Sequence, residues 1–396
     1  MILLLVYPGS SNAQTKDTKV GKGGEMAVTA AADTQLQLSS PSVVLMEGST
    51  GKVIFEKNKD ERLKPASITK IMTLLLIFDA IDSGQIKLTD QVSVSEHAAS
   101  MGGSQVFLEP NETQDVNTMI KCISIASAND ACVAMAEYIA GSEEEFVARM
   151  NQRAQDLGMK NTHFVNCCGL DTDNHYSSAY DVALMSRALI TKHPEISKYS
   201  TVWMDNITHT TKKGTTEFGL TNTNKLVRFY QGITGLKTGS TGLAKYCLSA
   251  TAKRNNMDLI AVVMASPDTK TRFAEASKLL NYGFANYNIY TDKNEDATLP
   301  PVKVTKGVTD SVKGKVSKDF SYLCTKGKAS DKIRKEIKMV DQVPAPVEKN
   351  TKIGEIVYYY DKEKIGTVDI LAGDAVNKAK YKDYFTKILH KYFMGP

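Results

Sequence analysis

The sequence predicts a mixed α/β chain of the α+β kind: an antiparallel sheet with a helical lobe, then a small all-β domain, then an amphipathic helix. Three observations predict it. Apolar runs separated by turn residues stand at the start and at the end of the first domain, while the stretch between them carries helix caps. From Val302 the pattern changes to period-two alternation. The last apolar side chains recur at helical spacing.

The 396 residues, 42% hydrophobic and 8% aromatic, exceed one ordinary domain and can bury a large core. A net charge of +5 is mild, and no basic run with interleaved aromatics resembles a nucleic-acid footprint, so no nucleic acid is expected as a partner. The charge is uneven. Between Val376 and Pro396, Lys378, Lys380, Lys382, Lys387 and Lys391 face one acid, Asp383, which points to an anionic surface. Cys122, Cys132, Cys167, Cys168, Cys247 and Cys324 show no paired spacings, so neither a disulfide framework nor a metal site follows, and no cofactor is expected.

In chain order, Met1–Tyr7 is apolar and precedes Ser11-Asn12-Ala13, a small-x-small pattern, so residues 1–13 are read as the remnant of a secretory signal without its basic flank. Residues 14–41 are expected to be a disordered lead-in. Residues 42–286 form the first domain. Val43-Val44-Leu45-Met46 and Val53-Ile54-Phe55 flank turn residues as a hairpin. A helical region then reaches about His193: Ser142 with Glu145 and Ser178 with Asp181 have capping-box spacing, Gly141 and Gly158 sit at helix ends, and His193-Pro194 stops the last helix. Tyr246–Ala250 and Leu259–Met264 form a second hairpin around Arg254-Asn255-Asn256, and Arg272–Phe284 is an amphipathic helix with Leu279 and Leu280 inward. Residues 287–300 read as a linker, 301–375 as a small β domain with the pairs Val302/Val304, Phe320/Tyr322, Val357/Tyr359 and Val368/Ile370, and 376–396 as an amphipathic tail.

Chemistry enters at Pro65-Ala66-Ser67-Ile68-Thr69-Lys70. Residues three apart on a helix share a face, so the Lys70 amine can reach the Ser67 hydroxyl, which needs such a base to become nucleophilic. Pro65 suits a helix start, and the apolar run Ile71–Phe78 suits a buried helix. Alone, S-x-x-K is a common tetrapeptide. Ser127-Ala128-Asn129 lies between two helical stretches, and Lys237-Thr238-Gly239 is expected to open the first strand of the second hairpin.

Together, in the order S-x-x-K, S-x-N, K-T-G, these motifs resemble the signature of the penicillin-binding proteins and serine β-lactamases. Over about Ser42 to Tyr287 the chain is similar to the low-molecular-mass penicillin-binding D-alanyl-D-alanine carboxypeptidases, including Ser104-Gln105-Val106-Phe107-Leu108, Leu157–Phe164, and Gly169-Leu170 with His175-Tyr176-Ser177. The resemblance implies a serine β-lactamase/transpeptidase-like domain. Ala128 departs from S-D-N and points away from class A β-lactamases. Cys167-Cys168 replaces the usual residues before Gly169, and a packing role is expected for the pair.

The resemblance also implies roles. Ser67 attacks the bond between the two D-alanines of a peptidoglycan stem peptide, Lys70 is the base, and Ser127 relays a proton to the leaving amine. Asn129 holds the substrate amide or Lys70. Backbone N–H groups of Ser67 and Ser240 form the oxyanion hole, and Lys237, Thr238 and Arg272 meet the terminal carboxylate, with Gly239 between them. β-Lactam antibiotics are expected to acylate the same serine. A β-lactamase would need a glutamate in an E-x-x-L-N segment, which is missing between the second and third motifs. A non-catalytic wall-binding protein would not need the intact set. His97, His163 and His175 have no triad pattern and are read as structural. Tyr381, Tyr384, Phe385, Ile388, Leu389, Tyr392 and Phe393 make an apolar stripe with Lys382, Lys387 and Lys391 off it. That helix is too short and charged to span a bilayer and is expected to lie on an anionic membrane surface, on the extracytoplasmic face.

Overall fold

The computed structural model describes residues 36–295, 297–325 and 330–394. The expected signal remnant and residues 14–35 of the lead-in lie outside them. Order begins before the expected Ser42. The backbone N–H groups of Ser39 and Ser40 donate to the Glu275 carboxylate, and Ser40 is fully buried. A distant carboxylate supplies partners that local composition does not reveal.

The central sheet has five antiparallel strands. Ser42–Glu47 (β1) pairs with Val53–Lys57 (β2), as the first hairpin predicts. Between them and the rest of the sheet comes the helical lobe: Lys70–Asp82 (α1), Asn129–Ala140 (α2), Glu143–Asp156 (α3) and Ala179–Lys192 (α4). Ser142 and Ser178 accept from the backbone N–H groups of Glu145 and Asp181 at the starts of α3 and α4, and Gly141 ends α2 at φ 87°. The sheet resumes with Ile233–Thr241 (β3), Lys245–Arg254 (β4) and Met257–Ser266 (β5), in the order β2-β1-β5-β4-β3.

The K-T-G residues therefore do not open the first strand of the second hairpin. They lie within a separate edge strand, β3, paired with β4 from Ile233↔Ala252 to Thr241↔Lys245. The second hairpin itself is β4–β5. A further hairpin, Met204–Thr211 with Gly214–Thr221, escaped the sequence reading because its threonine-rich strands carry few apolar residues.

Val44, Met46, Ile260, Val262 and Met264 face the core of the helical lobe. The opposite face of the sheet is covered by Thr269–Asn286 (α5), where the bare backbone at Gly283 lies against Leu45 and Leu259. Covering both faces explains why β5 reads as a continuous apolar run. Leu279 and Leu280 are fully buried, as expected.

The expected linker begins as a strand. Tyr287–Asp292 (β6) pairs with Phe320–Thr325, and Tyr290 packs on Phe320 with ring centroids 6.4 Å apart. The outward Asn288 and Thr291 gave the segment its polar look. The β domain buries Val302, Val304, Phe320, Val368 and Ile370, as the alternation predicts. In Lys352–Tyr360, however, Ile356, Val357 and Tyr358 are all buried, and the core aromatic is Tyr358. Its ring stacks on Phe320 at 3.7 Å, and its hydroxyl reaches Asn294 Oδ1 at 2.9 Å. The domain also runs past the expected residue 375: Val376 pairs with Val347, and the Ala379 N–H donates to the Lys306 carbonyl at 2.8 Å.

Tyr381–Met394 (α6) is a helix, and all seven predicted stripe residues are exposed, from 40% at Leu389 to 91% at Tyr381. Lys387 is turned the other way. Its Nζ meets the Gly307 carbonyl at 3.0 Å and the Asp310 carboxylate, both in the β domain. Among the described residues no helix is long and apolar enough to cross a membrane.

Candidate active site

Ser67 sits in a 3₁₀ turn, Ala66–Thr69, that leads directly into α1. The turn is tighter than the α-helix expected there, and it leaves Ser67 half-buried while Lys70, the first residue of α1, is completely buried. Lys70 Nζ lies 3.0 Å from Ser67 Oγ, 2.6 Å from Asn129 Oδ1 and 2.8 Å from the Cys168 carbonyl. The two oxygens beyond Ser67 hold the amine toward the hydroxyl.

A five-residue π turn, Cys122–Ala126, precedes Ser127, which adopts the left-handed conformation at φ 65° before α2 begins. A non-glycine residue held there is a sparsely populated geometry of the kind found at functional sites. Asn129 has its side chain fixed from both ends, since Nδ2 donates to the Gly102 carbonyl at 2.6 Å. The neighbouring Asp130 carboxylate accepts from the N–H groups of Val106 and Leu108 and pins the Ser104–Leu108 segment. Burial pushes the Asp130 carboxyl up.

Lys237 on β3 is buried, and Nζ donates to the Thr238 carbonyl at 3.0 Å. Burial first, and the Lys70 charge second, hold its amine well below the ordinary lysine range. Thr238 Oγ1 donates to Thr223 Oγ1 at 2.7 Å. Gly239 passes directly over the nucleophile turn: a Cβ there would stand 2.8 Å from Ser67 N, 2.9 Å from Ile68 N and 2.9 Å from the Pro65 carbonyl. Ser240 is exposed. Because β3 is the sheet edge, its outer backbone groups are open to an incoming extended peptide.

Arg272 is not a solvated surface arginine. It is 6% exposed, lies over the Phe273 ring at 4.7 Å, and donates through Nη1 to the carbonyls of Gly239 and Cys247 at 3.1 and 3.2 Å. It thus braces the K-T-G strand.

Asn166 helps hold the site and had no sequence signal of its own. Asn166 Oδ1 accepts from the N–H groups of Cys168, Gly169 and Leu170 and shapes the turn whose Cys168 carbonyl holds Lys70. Gly169 is required there, at φ 88°, because a Cβ would stand 1.9 Å from the Ala66 carbonyl oxygen. His175 is structural, as expected: Nδ1 accepts from the Val165 N–H at 3.0 Å, so Nε2 donates to Thr69 Oγ1 at 2.9 Å. Burial lowers its pKa to about 4.

A serine with a buried lysine base, a second buried lysine on an open edge strand and a backbone cradle at the serine define the penicillin-recognising class of serine acyl-transfer enzymes. Residues 27–268 match the D-alanyl-D-alanine carboxypeptidase family, peptidase family S11, and residues 287–378 match the C-terminal domain of penicillin-binding protein 5. The chain is 46% identical over 356 residues to the D-alanyl-D-alanine carboxypeptidase DacF of Bacillus subtilis strain 168, covering 90% of each chain. It is 34% identical to DacA of Escherichia coli K12, covering 90% of this chain and 89% of that one. Its fold is similar to penicillin binding protein 5 from Haemophilus influenzae, at 33% identity and a TM-score of 0.72, covering 86% of this chain and 98% of that one. The chain belongs to the D-alanyl-D-alanine carboxypeptidase family.

Proposed function

We propose that this chain removes the terminal D-alanine from peptidoglycan stem pentapeptides through an ester on Ser67, and that β-lactams form the same ester irreversibly on the time scale of growth. The observation that carries this reading is Lys70 Nζ, 3.0 Å from Ser67 Oγ and held by two further oxygens. Ser67 Oγ adds to the carbonyl carbon between the two D-alanines as its proton passes to the Lys70 amine. The carbonyl oxygen gains charge between the N–H groups of Ser67 and Ser240. The C–N bond then breaks, and Ser127 relays a proton to the departing amine of D-alanine. Water hydrolyses the ester, regenerating the Ser67 hydroxyl and releasing the shortened peptide acid.

The substrate's terminal carboxylate complements the two lysines of the site. Lys70 and Lys237 are buried near one another, and among the described residues no carboxylate is a hydrogen-bond partner of either. An arriving anion favours the charged form of Lys237 and gains an ion pair in return. Thr238 adds a hydroxyl, and Arg272 positions Gly239 and adds positive field. Release of D-alanine from a pentapeptide analogue, with labelled penicillin mapped to Ser67, tests the reading. Labelling that survives Ser67→Ala overturns it.

The chain works at the extracytoplasmic face of the membrane, carried there by a signal segment and docked by α6. The exposed stripe on α6, with Lys387 turned to the β domain, supports the docking. In flotation with anionic vesicles the full chain rises with the lipid, and a chain ending at Lys380 stays in solution yet still releases D-alanine. Equal flotation of the two would assign α6 to another role.

A further inference from the structure

Cys167 and Cys168 are completely buried, and Cys132 on α2 is buried against them with its thiol bonded to Cys168. The two adjacent sulfurs stand 3.6 Å apart. Glu143, the first residue of α3, closes the group: a carboxylate oxygen and both sulfurs all lie within 4.8 Å of one another. We propose that Cys167 Sγ, Cys168 Sγ and the Glu143 carboxylate form a binding site for a soft divalent cation of the zinc type.

The spacing supports a shared ion. Two thiolates bound tetrahedrally at about 2.3 Å stand about 3.8 Å apart, so these sulfurs already have nearly the separation that one ion imposes. A disulfide would need them at about 2.0 Å. Thiolates with a carboxylate are a zinc or cadmium donor set and a poor one for magnesium or calcium. A water can complete four ligands. The surroundings also fit: His97 Nε2 lies 3.2 Å from Glu143 Oε2 and orients the carboxylate, as a second layer of groups does around bound metals. Glu143 and His97 side chains are 14% and 55% exposed, which gives the ion a way in past the carboxylate. On binding, the two thiols lose their protons to solvent, so one dication replaces two protons.

The place gives the site its interest. The Cys168 carbonyl holds Lys70 Nζ, and the Cys167 carbonyl accepts from Thr73 Oγ1 at 2.6 Å, so an ion on these sulfurs braces the turn that holds the lysine.

The test uses the full chain kept reduced and titrated with Cd²⁺ and with Zn²⁺, Mg²⁺ serving as the hard-cation control. One Cd²⁺ per chain should bind with thiolate-to-metal charge-transfer absorption and raise the thermal midpoint, and Mg²⁺ should do neither. The double variant Cys167→Ala with Cys168→Ala should lose the absorption. Glu143→Gln should weaken binding about tenfold or more, and Cys324→Ala in the β domain should keep it. Circular dichroism checks that each variant is folded. A parent chain that gives no stoichiometric thiolate signal overturns the proposal, as does a signal that persists in the double variant or ignores Glu143→Gln.

Discussion

In the proposed reaction Lys70 serves Ser67 because its amine is held in place. It is buried, and Asn129 Oδ1 and the Cys168 carbonyl fix it 3.0 Å from the hydroxyl. Lys70→Arg replaces an amine that can accept the proton with a guanidinium that cannot, so acylation by labelled penicillin should fall by about 10²–10⁴-fold. Lys237→Arg should fall less, because a fixed cation is what that position supplies. Parent-rate acylation by Lys70→Arg would show that another group takes the proton. His175 makes a second prediction. Its pKa drops from the ordinary 6.5 to about 4, chiefly through burial and secondly through Lys64 and His163. Below pH 6.5 the unfolded chain binds a proton that the folded chain refuses until about pH 4, so stability is lost as pH falls through that window, by up to about 3 kcal/mol. Urea unfolding at pH 7 and pH 4.5 should show the loss, and His175→Gln should shrink the difference between the two pH values.

At the scale of elements, the site is a meeting of a turn, a loop and a strand edge, and Gly239 sets how closely strand and turn approach. Gly239→Ala brings a Cβ within 3 Å of three backbone atoms of the nucleophile turn, so it should slow acylation by about tenfold or more while costing about 1–3 kcal/mol in stability. Acylation at the parent rate would mean that the strand can move away freely. The chemistry-bearing residues were legible because motifs are local: Ser67 and Lys70 are one turn apart, and caps such as Ser142 and Ser178 name their own partners. What escaped was long-range. Asn166, Asp130 and Thr223 act through backbone groups or side chains brought near only by the fold. Glu275 reaches across the chain to Ser39 and Ser40, and nothing local announces the burial of Arg272. The K-T-G strand was placed in the wrong hairpin because Ile233–Thr241 carries glycine, threonine and lysine where a buried strand usually carries valine and isoleucine. Cys167-Cys168 packs in the core as expected, and its carbonyls in addition hold Lys70 and Thr73, a backbone role that side-chain identity does not announce.

Across the whole molecule, the domain that carries Ser67 is followed by a β domain and by the exposed helix α6. The helix presents Phe385 and Ile388 outward at 61% and 66% exposure while Lys387 is held by the β domain. Lysines near lipid contribute up to about 1 kcal/mol each, so high salt should weaken vesicle binding without abolishing the apolar part. Phe385→Asp with Ile388→Asp should cut flotation about tenfold or more and leave D-alanine release from a soluble peptide unchanged, because both side chains are exposed and neither contacts the residues around Ser67 described above. Unaltered flotation would take the stripe out of the binding surface. The bare backbone at Gly239 has a last consequence, in the currency of drug resistance. In the proposed reaction the wall peptide and a β-lactam meet the same nine-residue strand, whose closest approach to the serine admits no side chain. A substitution there that shuts out the antibiotic also shuts out the natural peptide, so escape by mutation has to be sought farther from the nucleophile, where drug and substrate differ in shape.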